Sequence, residues 1–378
     1  MRGMTMKAII HVTVSALALV AAAPLLAQNN DSTVVQAGSD NGANVAQSGS
    51  DAASDVDQNG SNLRAKVTQS GSGADATIDQ GVGADGIASG AEATITQQSD
   101  ATAKIDQTGV AGGASRAIKA TITQDANAEG STASVLQRIS TTTEATILQS
   151  GTDNSSTVAQ YQGHHSAYNE QSGADNESTI SQGGSNTVAE VRQSGNFGKS
   201  TVTIFGNNDG AYVDQLGESN TSTIYQGASN ALADVWQDGA DNVSGISQGE
   251  QSDAYVTQLG ENGTSSISQT FGESARVTQT SLSVGASSTI TQTGNWSFHD
   301  NAAEVTQNGE DVTSTITQTG SGMLATVEQE GVGSASTILQ TGTGHSAVVS
   351  QYSDDNSSTV TQSGSGNSAV VTQGTGGF

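Results

Sequence analysis

Short runs of alternating polar and apolar residues recur along the chain, and each run ends on a glutamine. In the run from Ser178 to Gln182, a small residue stands four positions before the glutamine and Ile180 stands two before it. Alternation with period two places these three side chains on one face of a β-strand, and the intervening Thr and Ser on the other. The pattern therefore predicts strands and not helices.

The glutamines are spaced by eleven residues over most of the chain. This spacing holds from 36 to 80, from 149 to 248 and from 307 to 373, and Ile204 occupies the one slot in those runs that lacks a glutamine. A cluster rich in Gly, Asn and Ser follows most of the glutamines, and such residues tolerate the positive φ angles of tight turns. Each unit of eleven residues is predicted to be one strand and one turn.

The small residue alternates between Ser and Ala in successive units from Ser178 onward. A two-unit repeat of about 22 residues predicts a coil with one strand in each of two facing sheets, and hence an all-β fold, a stacked strand-turn-strand β-solenoid. The glutamine spacing loosens within residues 81–148, which we interpret as insertions in turns. The repeat domain is predicted to span residues 28–378.

Residues 1–27 have the pattern of a secretory signal peptide. Arg2 and Lys7 precede an apolar stretch from Ala8 to Ala23, and Ala27 offers a small residue for cleavage. The apolar stretch is shorter than the roughly 20 residues that a membrane-spanning helix needs. A secreted, extracellular protein is the expectation.

Composition changes this picture only in part. Only 3% of the residues are aromatic and 33% hydrophobic, with a net charge of -26, values that by themselves would suggest disorder if the strand period were absent. The acidic surface argues against nucleic acid as a partner. No cysteine is present, so disulfides and thiolate chemistry are excluded.

A single coil buries too few apolar side chains to offset the entropy of ordering about 22 residues, since each Ile or Val contributes about 1.5–3 kcal/mol. Stacking supplies strand pairing, interdigitated apolar side chains and a ladder of glutamine amides. The residues predicted to form this core and to carry polymerisation are Val45, Gln47, Ile180, Gln182, Val235, Gln237, Ile316, Gln318, Ile338, Gln340, Val360, Gln362, Val371 and Gln373. The glycines predicted to permit the turns are Gly38, Gly49, Gly60 and Gly364.

The repeats resemble those of the curlin family, the subunits of curli amyloid fibres on gram-negative bacteria. The stretches from Gln36 to Gln47 and from Gln362 to Gln373 each carry the order Gln-x-Gly-x-x-Asn-x-Ala-x3-Gln that curlin repeats share. The resemblance implies a cell-surface fibre (pilus or curli) subunit of the biofilm matrix that mediates adhesion and aggregation. It implies as partners further copies of the chain, other curlin-like subunits, an outer-membrane secretion channel, and host or abiotic surfaces.

Candidate sites for other chemistry have simpler interpretations. His165 and His345 stand five residues after a strand glutamine, in the turn slot that Asn usually occupies, which favours a turn role over metal binding. Acidic turns such as 354–356 lack the glycine-rich nonapeptide of calcium-binding β-rolls. No Ser/His/Asp or paired-carboxylate set recurs at a suitable spacing. We therefore expect no enzyme activity, no cofactor and no metal.

Two alternatives to a polymerising subunit remain open. One is a repeat adhesin that acts as a monomer. The other is an ice-binding or surface-binding solenoid, because Thr-x-Thr recurs on strands, as at Thr315 and Thr317. Tyr225, Gly245 and Leu339 interrupt the threonine grid, so the ordinary β-propensity of Thr accounts for it better.

Overall fold

The computed structural model describes residues 10–13, 29–82, 88–109, 118–138, 142–294 and 300–374. These residues form an all-β structure in which parallel strands alternate between two sheets, with about 22 residues per coil. The predicted β-solenoid is confirmed. The chain divides into two units, Met1–Ser194 and Gly195–Phe378.

The first unit contains two sheets of parallel strands. Its first sheet contains β1 Ile10–Thr13, β2 Asp31–Ser39, β4 Ala53–Ser61, β6 Asp75–Val82, β7 Ala88–Ser89, β9 Thr102–Gly109, β11 Thr132–Arg138, β13 Ser155–Tyr161 and β15 Glu177–Gln182. Its second sheet contains β3 Gly42–Gln47, β5 Arg64–Gln69, β8 Ala91–Gln97, β10 Ile118–Gln124, β12 Thr143–Ser150, β14 Gly163–Ala174 and β16 Ser185–Asn196, the last of which ends just past the unit boundary.

The second unit repeats the arrangement with more uniform spacing. Its first sheet contains β17 Lys199–Ile204, β19 Thr221–Gln226, β21 Val243–Glu250, β23 Thr264–Phe271, β25 Ser287–Thr293, β27 Thr313–Ser321, β29 Ala335–Thr343 and β31 Ser357–Ser365. Its second sheet contains β18 Gly210–Glu218, β20 Leu232–Ala240, β22 Asp253–Gln258, β24 Glu273–Gln279, β26 Asn301–Glu310, β28 Leu324–Val332, β30 Ser346–Gln351 and β32 Ser368–Gln373.

Strand pairing places equivalent residues directly above one another. In the pairing of β27 with β29, Ile316 pairs with Ile338 and Gln318 with Gln340. The register survives the looser region, because β8 pairs with β10 so that Gln97 lies against Gln124. The signal that sets the register is therefore the glutamine and its upstream pattern, and not the length of the intervening turn.

Alternate side chains along each strand are buried. In β4, Ser54, Val56 and Gln58 face the interior, whereas Asp55 and Asp57 are exposed. The buried set consists of the small residue, the branched apolar residue and the glutamine that the sequence pattern selected. These rows from the two sheets form the core of each coil.

Two features shape the turns: a residue with left-handed backbone, and a glycine where successive coils approach closely. The sequence predicted only the need for positive φ angles. A residue with left-handed backbone stands seven positions before many of the strand glutamines and is commonly Asn, Asp or Gly, as at Asn62 and Asp241. The predicted turn glycines lie elsewhere, two positions after a glutamine. A Cβ atom at Gly38 would lie 1.8 Å from Gly60 O, and one at Gly49 would lie 1.7 Å from Gly71 O. Close approach between coils therefore requires glycine there even at Gly49, where φ is not positive.

Parts of the predicted organisation fall outside the described residues. Most of the predicted signal peptide does so, although β1 lies within it and pairs with β2. The extra residues of the looser repeats include 83–87, 110–117 and 139–141, which also lie outside the described residues. The described residues include no helix that is long and apolar enough to cross a membrane.

Candidate functional site: glutamine ladders and corners

The strand glutamines form continuous ladders of side-chain hydrogen bonds in both sheets of each unit. In every step, Nε2 of one glutamine donates to Oε1 of the glutamine in the following coil, at 2.6–3.2 Å. The first unit contains the ladders Gln36–Gln58–Gln80–Gln107–Gln137–Gln160–Gln182 and Gln47–Gln69–Gln97–Gln124–Gln149–Gln171–Gln193. The second unit contains Gln226–Gln248–Gln269–Gln292–Gln318–Gln340–Gln362 and Gln215–Gln237–Gln258–Gln279–Gln307–Gln329–Gln351–Gln373.

The ladder glutamines after Gln36 also tie the two sheets of the solenoid together. Nε2 of Gln58, in the first sheet, donates to Gly42 O at the start of the preceding strand in the second sheet, at 3.2 Å. Nε2 of Gln69 lies 2.8 Å from Ala53 O and 2.9 Å from Ala74 O. A buried amide is tolerated only when it is hydrogen bonded, and here it bonds both along and across the stack.

One ladder of the second unit starts with a gap. Ile204 stands at the glutamine position of β17 and pairs with Gln226 of β19. Because Ile204 carries no donor, Oε1 of Gln226 is buried without a hydrogen-bond partner. An unsatisfied buried acceptor destabilises its coil by about 1–3 kcal/mol.

Restoring the ladder should stabilise this coil. We expect Ile204→Gln to raise the free energy of unfolding of the coil by about 1 kcal/mol, because its amide would donate to Gln226 Oε1. The matched control is Ile224→Gln, which places the same amide in the apolar row, where it should cost about 2–4 kcal/mol. Amide hydrogen exchange over β17 to β19 measures both changes, and equal destabilisation by the two variants would contradict the ladder account.

A second set of inward side chains occupies the corners, which we define as the positions six residues before a strand glutamine. Asn220 is representative: its Nδ2 donates to Leu216 O at 2.7 Å and to Gly239 O at 3.0 Å, and its Oδ1 accepts from Asn242 N–H at 3.1 Å. One Asn therefore hydrogen bonds to a carbonyl of its own turn and to backbone groups of the turn in the next coil. Further corner asparagines with bonds of this kind are Asn41, Asn154 and Asn301.

The two candidate histidines reproduce the asparagine bonds. Nε2 of His345 lies 3.1 Å from Thr341 O, and its Nδ1 accepts from Asn367 N–H at 3.2 Å, so the proton is on Nε2. His165 lies 2.9 Å from Tyr161 O through Nε2 and 2.8 Å from Thr187 Oγ1 through Nδ1. Burial lowers the pKa of His165, whereas its bond to Tyr161 O raises it. Both histidines act as turn residues.

Two corners carry carboxyl groups in different surroundings. Oε2 of Glu273 accepts from the backbone N–H groups of Thr270 and Phe271 at 2.6 and 3.1 Å. Burial raises the pKa of Glu273 to about 7, and these hydrogen bonds lower it in part. Asp209 is also buried, which raises its pKa to about 6 while hydrogen bonds from Ala231 and Asn230 lower it, but its Oδ2 has no partner among the described residues. Sequence reasoning missed both groups, although counting six residues back from Gln215 and Gln279 finds them.

One residue of the apolar row is polar for an identifiable reason. Asn169 stands where the row otherwise holds Val or Ile, and its Nδ2 donates to the hydroxyl groups of Ser156 and Ser178 at 2.7 Å each. In the second unit, where Val213 and Val235 keep the row apolar, the equivalent hydroxyls, such as that of Ser222, are buried without a partner. Asn169 thus satisfies two groups that a valine leaves unbonded, although its own Oδ1 is buried without a hydrogen-bond partner among the described residues.

The structure places the predicted core residues in two classes. Ile180, Gln182, Val235, Gln237, Ile316, Gln318, Ile338 and Gln340 are fully buried, and Val360 and Gln362 nearly so. Val45, Gln47, Val371 and Gln373 are only half-buried. The second class lies in the first and last strands of the second sheet described, whose outer edges carry no further strand among the described residues.

The outer faces carry mixed side chains. Tyr225, Trp236 and Leu339 are exposed among the threonines, and Arg276 lies 4.7 Å from the Tyr255 ring centroid. A regular threonine grid is therefore interrupted on both sheets of the second unit. Within the residues that the structure describes, no group of three or more His, Asp or Glu is placed to hold a metal ion.

These features define a class of protein, the parallel β-solenoids whose coils are joined by stacked amide ladders. Comparison with known families finds one repeat that the chain shares. The curlin associated repeat matches residues 51–81, 299–331 and 333–364, so three segments of the chain are similar to curlin repeats. No curated protein sequence matches the chain.

Proposed function

We propose that the protein is a secreted subunit that assembles with copies of itself into curli-like amyloid fibres of the biofilm matrix, which mediate cell adhesion and aggregation. The curlin repeats support a structural role of this kind, and so do the stacked strands into which the described residues fold. On this proposal, the segment 1–27 directs secretion, an outer-membrane channel exports the chain, and other curlin-like subunits join the fibre.

The observation that carries the proposal is the state of the ladders at the two end coils. At one end, Nε2 of Gln362 and Nε2 of Gln373 donate to backbone carbonyls of the facing sheet but, within the described residues, have no ladder glutamine to donate to. At the other end, Oε1 of Gln36 and Oε1 of Gln47 accept from no ladder glutamine among the described residues. One end therefore offers donors and the other offers acceptors.

This polarity supports head-to-tail stacking. Residues 1–27 contain β1, which pairs with the outer edge of β2, so docking requires that this predicted signal segment be removed. If a second mature copy then docks with β2 and β3 against β31 and β32, its Gln36 and Gln47 continue the two ladders, and the half-buried Val371 becomes enclosed. Head-to-head docking would place like ends of the amide ladders against each other. Unprotected parallel edges of this kind template the addition of further strands.

Seeded growth of the purified chain tests this function. We expect preformed fibres to shorten the lag of thioflavin-positive assembly, with each added chain retaining its β-sheet circular dichroism. A chain that stays monomeric by light scattering at high micromolar concentration, with or without seeds, would instead support a monomeric adhesin.

A further inference from the structure

Asp209 occupies a corner at which asparagine makes three hydrogen bonds in other coils. Its Oδ1 accepts from Ala231 N–H at 2.9 Å, which corresponds to the bond from Asn242 N–H to Asn220 Oδ1 at 3.1 Å. Both bonds join residues 22 positions apart. Oδ1 of Asp209 therefore accepts the same hydrogen bond as the asparagine side-chain carbonyl.

The second oxygen of Asp209 stands where asparagine has its donor. In the Asn220 corner, Nδ2 donates to the carbonyl 19 residues ahead, Gly239 O. The equivalent carbonyl for Asp209 is Ala228 O. A Cβ atom added at Gly206 would lie 1.6 Å from Ala228 O and 2.2 Å from Asp209 Oδ2, so the two oxygens are close neighbours.

An ionised carboxylate fits this position poorly. Asp209 is 2% exposed, and its Oδ2 has no hydrogen-bond partner in the described residues. A carboxylate oxygen next to a carbonyl oxygen places two negative partial charges together in a site that water does not reach. A proton on Oδ2 removes the repulsion and supplies the missing donor.

No charged side chain in the described part of the chain offsets this cost. The charged residues of the second-unit strands that pack around this corner lie on outward-facing or exposed positions, and none of them contributes to the shifted pKa of Asp209. They are Lys199, Asp214, Glu218, Asp234 and Asp238. The turn of the next coil, residues 227–231, contains no titratable side chain.

We propose that Asp209 is a proton-binding site that closes the coil formed by β17 and β18. When Oδ2 takes a proton from solvent, the resulting O–H donates to Ala228 O and the carboxyl group reproduces the asparagine corner. When the proton leaves, this contact becomes repulsive. The same coil carries Ile204 in place of a ladder glutamine, so its stacking on β19 and β20 is the step that responds most to the loss.

The direction of the pH effect follows from the raised pKa. A carboxyl group whose pKa is higher in the folded state stabilises that state fully below its unfolded value of 3.8, and loses the contribution as pH rises through about 6. A difference of this size corresponds to about a 100-fold change in the opening equilibrium of the coil. Acid therefore closes the coil and neutral pH loosens it.

Other groups also titrate, so the readout must be local. Burial raises the pKa values of Asp57, Asp79, Asp234, Asp253 and Glu273, which adds stability in acid, whereas the lowered pKa of His165 acts in the opposite direction. Hydrogen exchange of the Ala231 amide, which donates to Asp209, reports on the corner itself. This measurement needs only the single chain, so it is independent of whether fibres form.

The test compares Asp209→Asn with the wild-type chain at about pH 5 and about pH 7.5, after correction for intrinsic exchange rates. In the wild type we expect protection of Ala231 and β17 to β19 to fall by about 10-fold at the higher pH, since pH 5 already lies above the unfolded pKa of 3.8. In Asp209→Asn it should be high and equal at both. The control Asp241→Asn, at an exposed turn residue, should behave as the wild type does. An Asp209→Asn chain that retains the wild-type pH dependence would overturn the proposal.

A second measurement requires no variant. Infrared spectra of the chain labelled with ¹³C in its aspartate carboxyl groups should show a protonated carboxyl band that disappears with a midpoint near pH 6. If every aspartate is ionised at about pH 5.5, Asp209 does not hold a proton and the proposal fails.

Discussion

We expect Ile338→Asp to unfold the coil formed by β29 and β30 and to stop assembly. Ile338 is 0% exposed and lies between Ile316 and Val360 in the stack. The substitution removes a buried side chain and places a carboxylate in the core. Together these two changes should lower the free energy of unfolding of the coil by about 4 kcal/mol or more. Because coils contact only their neighbours, the loss should be concentrated in β27 to β31.

Leu339→Asp is the matched control. Leu339 is the next residue on the same strand, is 40% exposed, and faces outward between Thr317 and Thr361. The same carboxylate should cost less than about 1 kcal/mol there. Hydrogen exchange of β27 to β31 and seeded growth should separate the two variants, and equal effects in both measurements would contradict the assignment of the inward face.

Gly364→Ala should block fibre growth while leaving the single chain folded. Its equivalents in the preceding coils, Gly320 and Gly342, leave no room for a side chain, because a Cβ atom there would lie 1.9 Å from a carbonyl oxygen of the next coil. At Gly364, nothing lies within 4 Å. The φ of 98° at Gly364 makes alanine strained already in the single chain, but the methyl group meets a steric clash only when another copy stacks on this end.

The expected result is that small amounts of the variant stop the elongation of wild-type fibres. Under head-to-tail stacking, a Gly364→Ala chain adds to a wild-type fibre through its β2 and β3 end and then presents the blocked coil, so small fractions of the variant should arrest that end. Gly366→Ala is the control, because its backbone is also left-handed but a Cβ atom at its equivalent, Gly344, meets no atom closer than 4.0 Å. If seeds elongate at the wild-type rate in the presence of Gly364→Ala, docking through this surface is contradicted.

The sequence predicts the repeat unit well because one physical rule sets it. The glutamine and the branched residue two positions before it must both face inward, so their spacing reveals strand, face and register together, as at Ile180 and Gln182. The same rule predicts which strands pair across the looser region, because Gln97 and Gln124 keep the pattern although they lie 27 positions apart.

Several features depend on contacts between coils that no local pattern contains. The donor-to-acceptor direction of the amide ladders appears only in the stacked structure. The glycines two residues after a glutamine are required because a carbonyl of the next coil leaves no room for a side chain. The positive φ angles that the sequence predicts explain only some of these glycines. Asp209 looked like one of many solvated turn acids, because its burial is visible only once the corner is defined.

X-ray diffraction from aligned fibres of the purified chain tests the central claim most directly. If coils stack within and between chains, the strand spacing of about 4.7–4.8 Å must lie along the fibre axis, with a sheet spacing near 10 Å perpendicular to it. Fibres that lack the axial reflection, or that show it perpendicular to the axis, would contradict assembly by continued stacking of coils.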